Sequence, residues 1–145
     1  MERSPAEARL SRWLKLWAPA FAAGGAAFYL LPGAVTASLA RTGRMVGLEE
    51  ARGPHGGGSD ADNLWVVLAG AYMALITAIS AQAAERPLAR EDLVRLLILG
   101  KTASSLGALG YFLFRRRAFA FLANFLLDGA IAGVTYALLE DARPG

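Results

Sequence analysis

The chain has 145 residues, 55% of them hydrophobic, with no cysteine, one histidine, 15 basic against 12 acidic side chains and a formal net charge of +3. A mean hydropathy of +0.38 is too apolar for a soluble domain of this length, and the missing thiols exclude disulfide oxidoreductase chemistry and thiolate metal sites. The expected fold class is therefore all-α: one polytopic membrane domain over residues 1–145, a four-transmembrane-helix bundle with a longer first loop.

The first apolar stretch, about residues 14–35 (LKLWAPAFAAGGAAFYLLPGAV), approaches the ~20 residues that carry a helix across ~30 Å of hydrocarbon. Arg3, Arg9, Arg12 and Lys15 precede it, and the small-residue run Val35-Thr36-Ala37 ends it, a pattern shared with signal peptides. Cleavage there would leave three spans; the near-spanning length of the stretch favours a retained helix.

Residues 36–63 form the longest connection. Its first part, with Leu39, Met45, Val46 and Leu48 beside Arg41, Arg44, Glu49 and Glu50, reads either as a short helix on the membrane surface or as an ordinary linker. Its second part, RGPHGGGSDADN, reads as flexible, solvated chain. The run lacks the Lys-Ser/Thr ending of a phosphate loop, and His55 within it is a solvated loop residue. With the only histidine outside the apolar stretches, histidine-ligated haem has no ligand, and no cofactor or metal is expected.

The second span is expected over about 64–83, followed by AERPLARED, where Pro87 favours a break. A third span over about 94–114 and a fourth over about 118–139 are joined by the arginine turn Arg115, Arg116 and Arg117. So tight a turn makes the last two helices antiparallel neighbours. The remaining connections are too short for a separate soluble domain. Eight basic residues flank the spans on the terminal side and six on the other, an asymmetry that leans towards cytoplasmic termini. No basic stripe with interleaved aromatics is present, so nucleic acid is not an expected partner. The lipid bilayer is one, with the arginine turn as a contact for head groups.

Trp13, Trp17, Trp65, Tyr111 and Tyr136 fall near expected interfaces and read as belt residues. Small residues recur within the spans: Ala20, Ala23, Gly24 and Ala27 in the first, Gly70 and Ala74 in the second, Gly100, Ser104, Gly107 and Ala108 in the third, Gly129 and Gly133 in the fourth. In lipid such residues let helices approach, within the bundle, in self-association or against another subunit.

The candidate site is a polar cluster inside the membrane. Asp128 lies about ten residues, roughly 15 Å, from either end of the fourth span, too deep to snorkel. A carboxylate there needs a partner. Asn124 and Thr135 share its helical face. Counted outward from the arginine turn, Lys101 on the third span differs from it in depth by three residues, about 4.5 Å, which a lysine side chain can bridge. Ser104 and Ser105 lie one turn from Lys101, completing the set Asp128, Lys101, Asn124, Ser104, Ser105 and Thr135. Two considerations oppose the pair: the side chains tilt towards their own helix N-termini, away from each other, and Lys101 could snorkel back towards Arg95.

Short termini, a longer first loop, a tight final hairpin and polar residues in the last two helices resemble the DoxX-like group of small bacterial membrane proteins. The resemblance is architectural and carries over no catalytic residues. It implies a bacterial inner membrane location and a helper role beside a membrane-bound redox or stress-response system. Three functional readings follow. The first is a non-catalytic accessory or assembly subunit of a larger membrane complex. The second is a small transporter or proton-linked carrier using Asp128 and Lys101, and the third an enzyme acting on a lipid-soluble substrate.

Overall fold

The computed structural model describes residues 4–48, 60–115 and 117–143, all-α, with no strand among them. The loop around His55, expected as solvated chain, the pair Glu49 and Glu50, the Trp65 side chain and Arg116 lie outside the described residues.

The first helix, α1, runs Pro5–Leu30. Ser4 caps it by accepting a 3.1 Å bond from the Glu7 N–H, Pro5 occupies the first turn, and Glu7 complements the positive end of the helix dipole. Pro19 removes one internal N–H, and the helix continues through it. The expected single span over about 14–35 is corrected in two respects. The helix starts well before residue 14, and it breaks at Leu31, where Pro32 forces the preceding residue out of the helical region, to φ −132° and ψ 47°.

The chain then turns by 103° into α2, Pro32–Met45, with Pro32 in its first turn. The segment read as either surface helix or linker is therefore helical as far as Met45. It ends on Gly47 at φ +71°. The Leu48 N–H donates to the Gly43 carbonyl at 2.9 Å and the Gly47 N–H to the Arg44 carbonyl at 3.2 Å, a termination that requires the left-handed conformation glycine adopts without penalty.

Helix α3 spans Asp60–Glu85, α4 Glu91–Phe114 and α5 Phe119–Ala142. Pro87 lies in the α3–α4 turn, and a tight turn through Arg115 and Arg117 returns α5 along α4, both as expected. Three helical segments, Val66–Glu85, Glu91–Phe114 and Phe119–Ala142, are long and apolar enough to cross a membrane; α1 and α2 qualify only when taken together as one broken span. This is consistent with a multi-pass membrane protein.

The four long helices share one core. Leu10, Leu14 and Phe21 of α1 meet Ile76 and Ile79 of α3, Leu97 of α4 and Ile131 and Leu139 of α5. The closest pairings are α1 with α3 and α4 with α5, thinner seams join α1 to α5 and α3 to α4, and α2 rests against α1 and α5. Large apolar side chains such as Leu75, Leu99, Leu106, Leu113 and Leu127 face outward, a surface suited to lipid and costly in water.

Backbone closeness explains the two strongest pairings. A Cβ on Gly25 would stand 2.8 Å from Met73 Cβ, and one on Gly129 would stand 2.9 Å from Ser105 Oγ. The expected small-residue stripes are partly corrected. Gly129 and Ala108 are contacts, whereas Ala20, Ala23, Ala74, Gly107 and Gly133 face outward, and α1 presents Ala18, Phe21 and Gly25 instead.

Candidate functional site

Lys101 stands ten residues into α4, about 15 Å from its start, and Asp128 stands nine residues into α5, about 14 Å from its start. Because the helices are antiparallel, these positions meet near mid-bundle. Lys101 Nζ donates to Asp128 Oδ1 at 2.9 Å, and the residues are only 3% and 4% exposed. The opposing tilts of the two side chains are overcome by the four-carbon lysine stem, and snorkelling towards Arg95 does not occur.

Two aromatic rings complete the enclosure. The Phe21 ring of α1 lies over the ammonium with its centroid 4.3 Å from Nζ, and the Tyr72 ring of α3 lies 5.9 Å away. The electron-rich face of an aromatic ring attracts a cation most when water is excluded. Tyr72 is itself anchored, its hydroxyl donating to the Gly100 carbonyl at 3.2 Å. Every long helix thus contributes one side chain to this centre. Neither ring was singled out by sequence reasoning, because an aromatic residue within a uniformly apolar helix carries no mark of the face it occupies.

The rest of the expected cluster divides into separate contacts along the α4–α5 seam. Ser105 Oγ donates to the Phe125 carbonyl at 2.8 Å, and Asn124 Nδ2 donates to Ser104 Oγ at 3.1 Å on an exposed edge. Both stitch the hairpin without touching the ion pair. Thr135 occupies the predicted helical face but serves a different partner: it accepts from Trp13 Nε1 at 2.9 Å and donates to the Ile131 carbonyl at 2.6 Å. Trp13, expected at the membrane belt, is therefore turned inward. It packs edge-on against Trp17, which stacks on Phe21, so an aromatic row on α1 leads from Thr135 to the lysine. Tyr111 and Tyr136 are exposed, as belt residues would be. Arg115 and Arg117 are exposed at the α4–α5 turn.

The bundle end carrying the termini is laced by ions. Arg9 pairs with Asp141, Arg143 with Glu91 and Glu140, and Arg95 with Glu91. Hydrogen bonding to Glu91, ahead of the neighbouring charges, holds the Arg143 guanidinium above its ordinary range.

Chemically the buried centre is a closed ion pair. Its charges cancel and its cation lies against the two rings. Among the described residues no three His, Cys, Asp or Glu side chains converge as a metal site would require. Among the described residues, one surface groove lies at the ion-laced end between α4 and α5 and another between α1 and α3; neither is lined by Lys101 or Asp128. Compared with protein-family models, curated proteins and solved structures, the chain matches none of them.

Proposed function

We propose that this protein is a non-catalytic accessory or assembly subunit of a larger membrane complex. In this reading it is a four-span protein of the bacterial inner membrane, with α1 and α2 together forming the first span and both termini cytoplasmic. From Trp13 to Leu30, α1 alone reaches about 27 Å, nearly the hydrocarbon thickness, so α2 would lie at the far interface. Arg115, Arg116 and Arg117 would meet lipid head groups on that side.

The observation that carries the reading is the closure of the Lys101–Asp128 pair beneath Phe21. A transport or catalytic site must admit a substrate to its charged groups, whereas a pair held at 2.9 Å among four helices fixes their register. The architectural resemblance to the DoxX-like group points the same way. The test is extraction in a mild detergent at native expression level. An accessory subunit migrates well above its own 15.3 kDa, with other membrane chains in fixed ratio. A chain that purifies alone, and in proteoliposomes moves protons or a solute in a manner abolished by Asp128→Asn, belongs instead to the carrier class.

A further inference from the structure

We propose that the groove between the start of α4 and the end of α5 is a binding site for one zwitterionic phospholipid bearing a primary amine, of the phosphatidylethanolamine class. The groove encloses about 350 Å3, within the range that small-ligand sites occupy. Its floor is apolar, formed by Ile98, Leu99 and Leu139. Its rim carries Arg95, Glu140 and Arg143, and Tyr136 lines it one turn before Glu140 on α5. With the helices across a bilayer, this rim stands at head-group depth, and Ile98, Leu99 and Tyr136 lie about one turn deeper, where acyl chains begin. Leu99 and Leu106, seven residues apart on one outward face of α4, continue that apolar track towards mid-membrane.

The charge arrangement selects the head group. Two guanidiniums face two carboxylates here, Arg95 and Arg143 against Glu91 and Glu140. An electrically neutral rim fits a head group that is itself neutral overall, and an anionic lipid would add an uncompensated charge. Glu91 Oε1 is shared: Arg95 Nε and an Arg143 N–H both donate to that one oxygen. Arg95 is the freer of the two, with its side chain 64% exposed against 29% for Arg143. It can therefore turn onto a phosphate while Glu91 keeps Arg143 as its partner. Arg143 stays clamped between Glu91 and Glu140 and forms a fixed wall. Glu140, bonded to Arg143 through Oε1, presents its other oxygen to an ammonium. A primary ammonium donates a hydrogen bond to Glu140; the quaternary ammonium of phosphatidylcholine has no N–H to donate.

The experiment uses the full chain, delipidated in detergent and titrated separately with phosphatidylethanolamine, phosphatidylcholine and phosphatidylglycerol, with bound lipid counted by native mass spectrometry. The ethanolamine lipid is expected to be retained about tenfold more strongly than the choline lipid, the size of one charge-assisted hydrogen bond, and above the glycerol lipid. Glu140→Gln should remove most of the preference over phosphatidylcholine, and Arg95→Gln should weaken retention of all three lipids. Both side chains are substantially exposed, so neither change threatens folding, which helicity and elution position verify. Arg41→Gln on α2, away from the groove, should leave retention unchanged. Equal retention of the ethanolamine and choline lipids overturns the proposal, as does phosphatidylglycerol bound best or insensitivity to both groove variants.

Discussion

Removing either member of the Lys101–Asp128 pair should destabilise the bundle, and removing both should largely restore it. Lys101→Met leaves a buried carboxylate whose one donor in the structure has gone. Stranding a buried charge in this way costs about 3–5 kcal/mol. Asp128→Asn is expected to cost about 1 kcal/mol less, because the ammonium keeps the Phe21 and Tyr72 ring faces and such contacts contribute ~0.5–2 kcal/mol where water is excluded. The double variant replaces two compensating charges by near-isosteric neutral groups and should lie within about 1 kcal/mol of the parent protein, or slightly above it. The assay is reversible unfolding in mixed micelles with rising dodecyl sulfate, followed by helicity, in a double-mutant cycle. A coupling energy of at least ~2 kcal/mol is expected for a pair so enclosed. Costs of the two single changes that simply add, or an Asp128→Asn variant worse than Lys101→Met, would show that the ring-covered ammonium is not what holds this centre.

Three further expectations concern the backbone. Gly129→Ala drives a methyl group to 2.9 Å from Ser105 Oγ and should cost about 1–3 kcal/mol, with Ser105→Gly in the same chain recovering part of it. Gly133→Ala, four residues on, meets nothing within 4 Å and should leave the isolated chain unharmed in the same unfolding assay; loss of co-purifying subunits in that variant would locate a partner helix there. Pro32→Ala releases Leu31 from its proline restriction, so spin labels at Ala23 and Ser38 should move apart as α1 and α2 approach one continuous helix. An unchanged separation would mean that α2 is held by its contact with α5 and that the proline only accompanies the bend.

Depth was legible in the sequence, and facing was not. Counting from the arginine turn puts Lys101 and Asp128 within one turn of each other, and the structure closes the pair at 2.9 Å. The length of an apolar run fixes position along the membrane normal because the hydrocarbon has two sharp boundaries. Rotation about the helix axis has no comparable signal, since lipid is as apolar as the bundle interior and the amphipathic contrast that orients a soluble helix disappears. Hence Ala20 and Ala23, expected as contacts on α1, face outward, whereas Gly24 does lie against Met73 and the closest approach falls on Gly25, one residue and about 100° further round the helix. Thr135 lies on its expected face, yet its partner comes from Trp13 on α1, a neighbour that local spacing could not specify. The bend at Leu31 was masked for a related reason: the residues around Pro32 are apolar enough to read as one uninterrupted span.

These contacts also say where the bundle is weakest and why a charge pair sits there. The α4–α5 hairpin is held by a short turn, by Ser105 on the Phe125 carbonyl and by the close approach at Gly129. The α1–α3 pair is held by Ser11 on the Ala84 carbonyl and by the close approach at Gly25. Between these two halves the seams are thinner, and in lipid no hydrophobic drive presses them together. Phe21 and Tyr72 come from the α1–α3 half, Lys101 and Asp128 from the other. An ammonium drawn into mid-bundle by the carboxylate therefore gives the first half something directional to bind, and its desolvation makes each ring contact stronger than it would be at a surface. On this argument the centre is a latch between halves: its charge adds to the Trp13–Thr135 and Tyr72–Gly100 hydrogen bonds in making two apolar faces, equally content against lipid, prefer each other in one register.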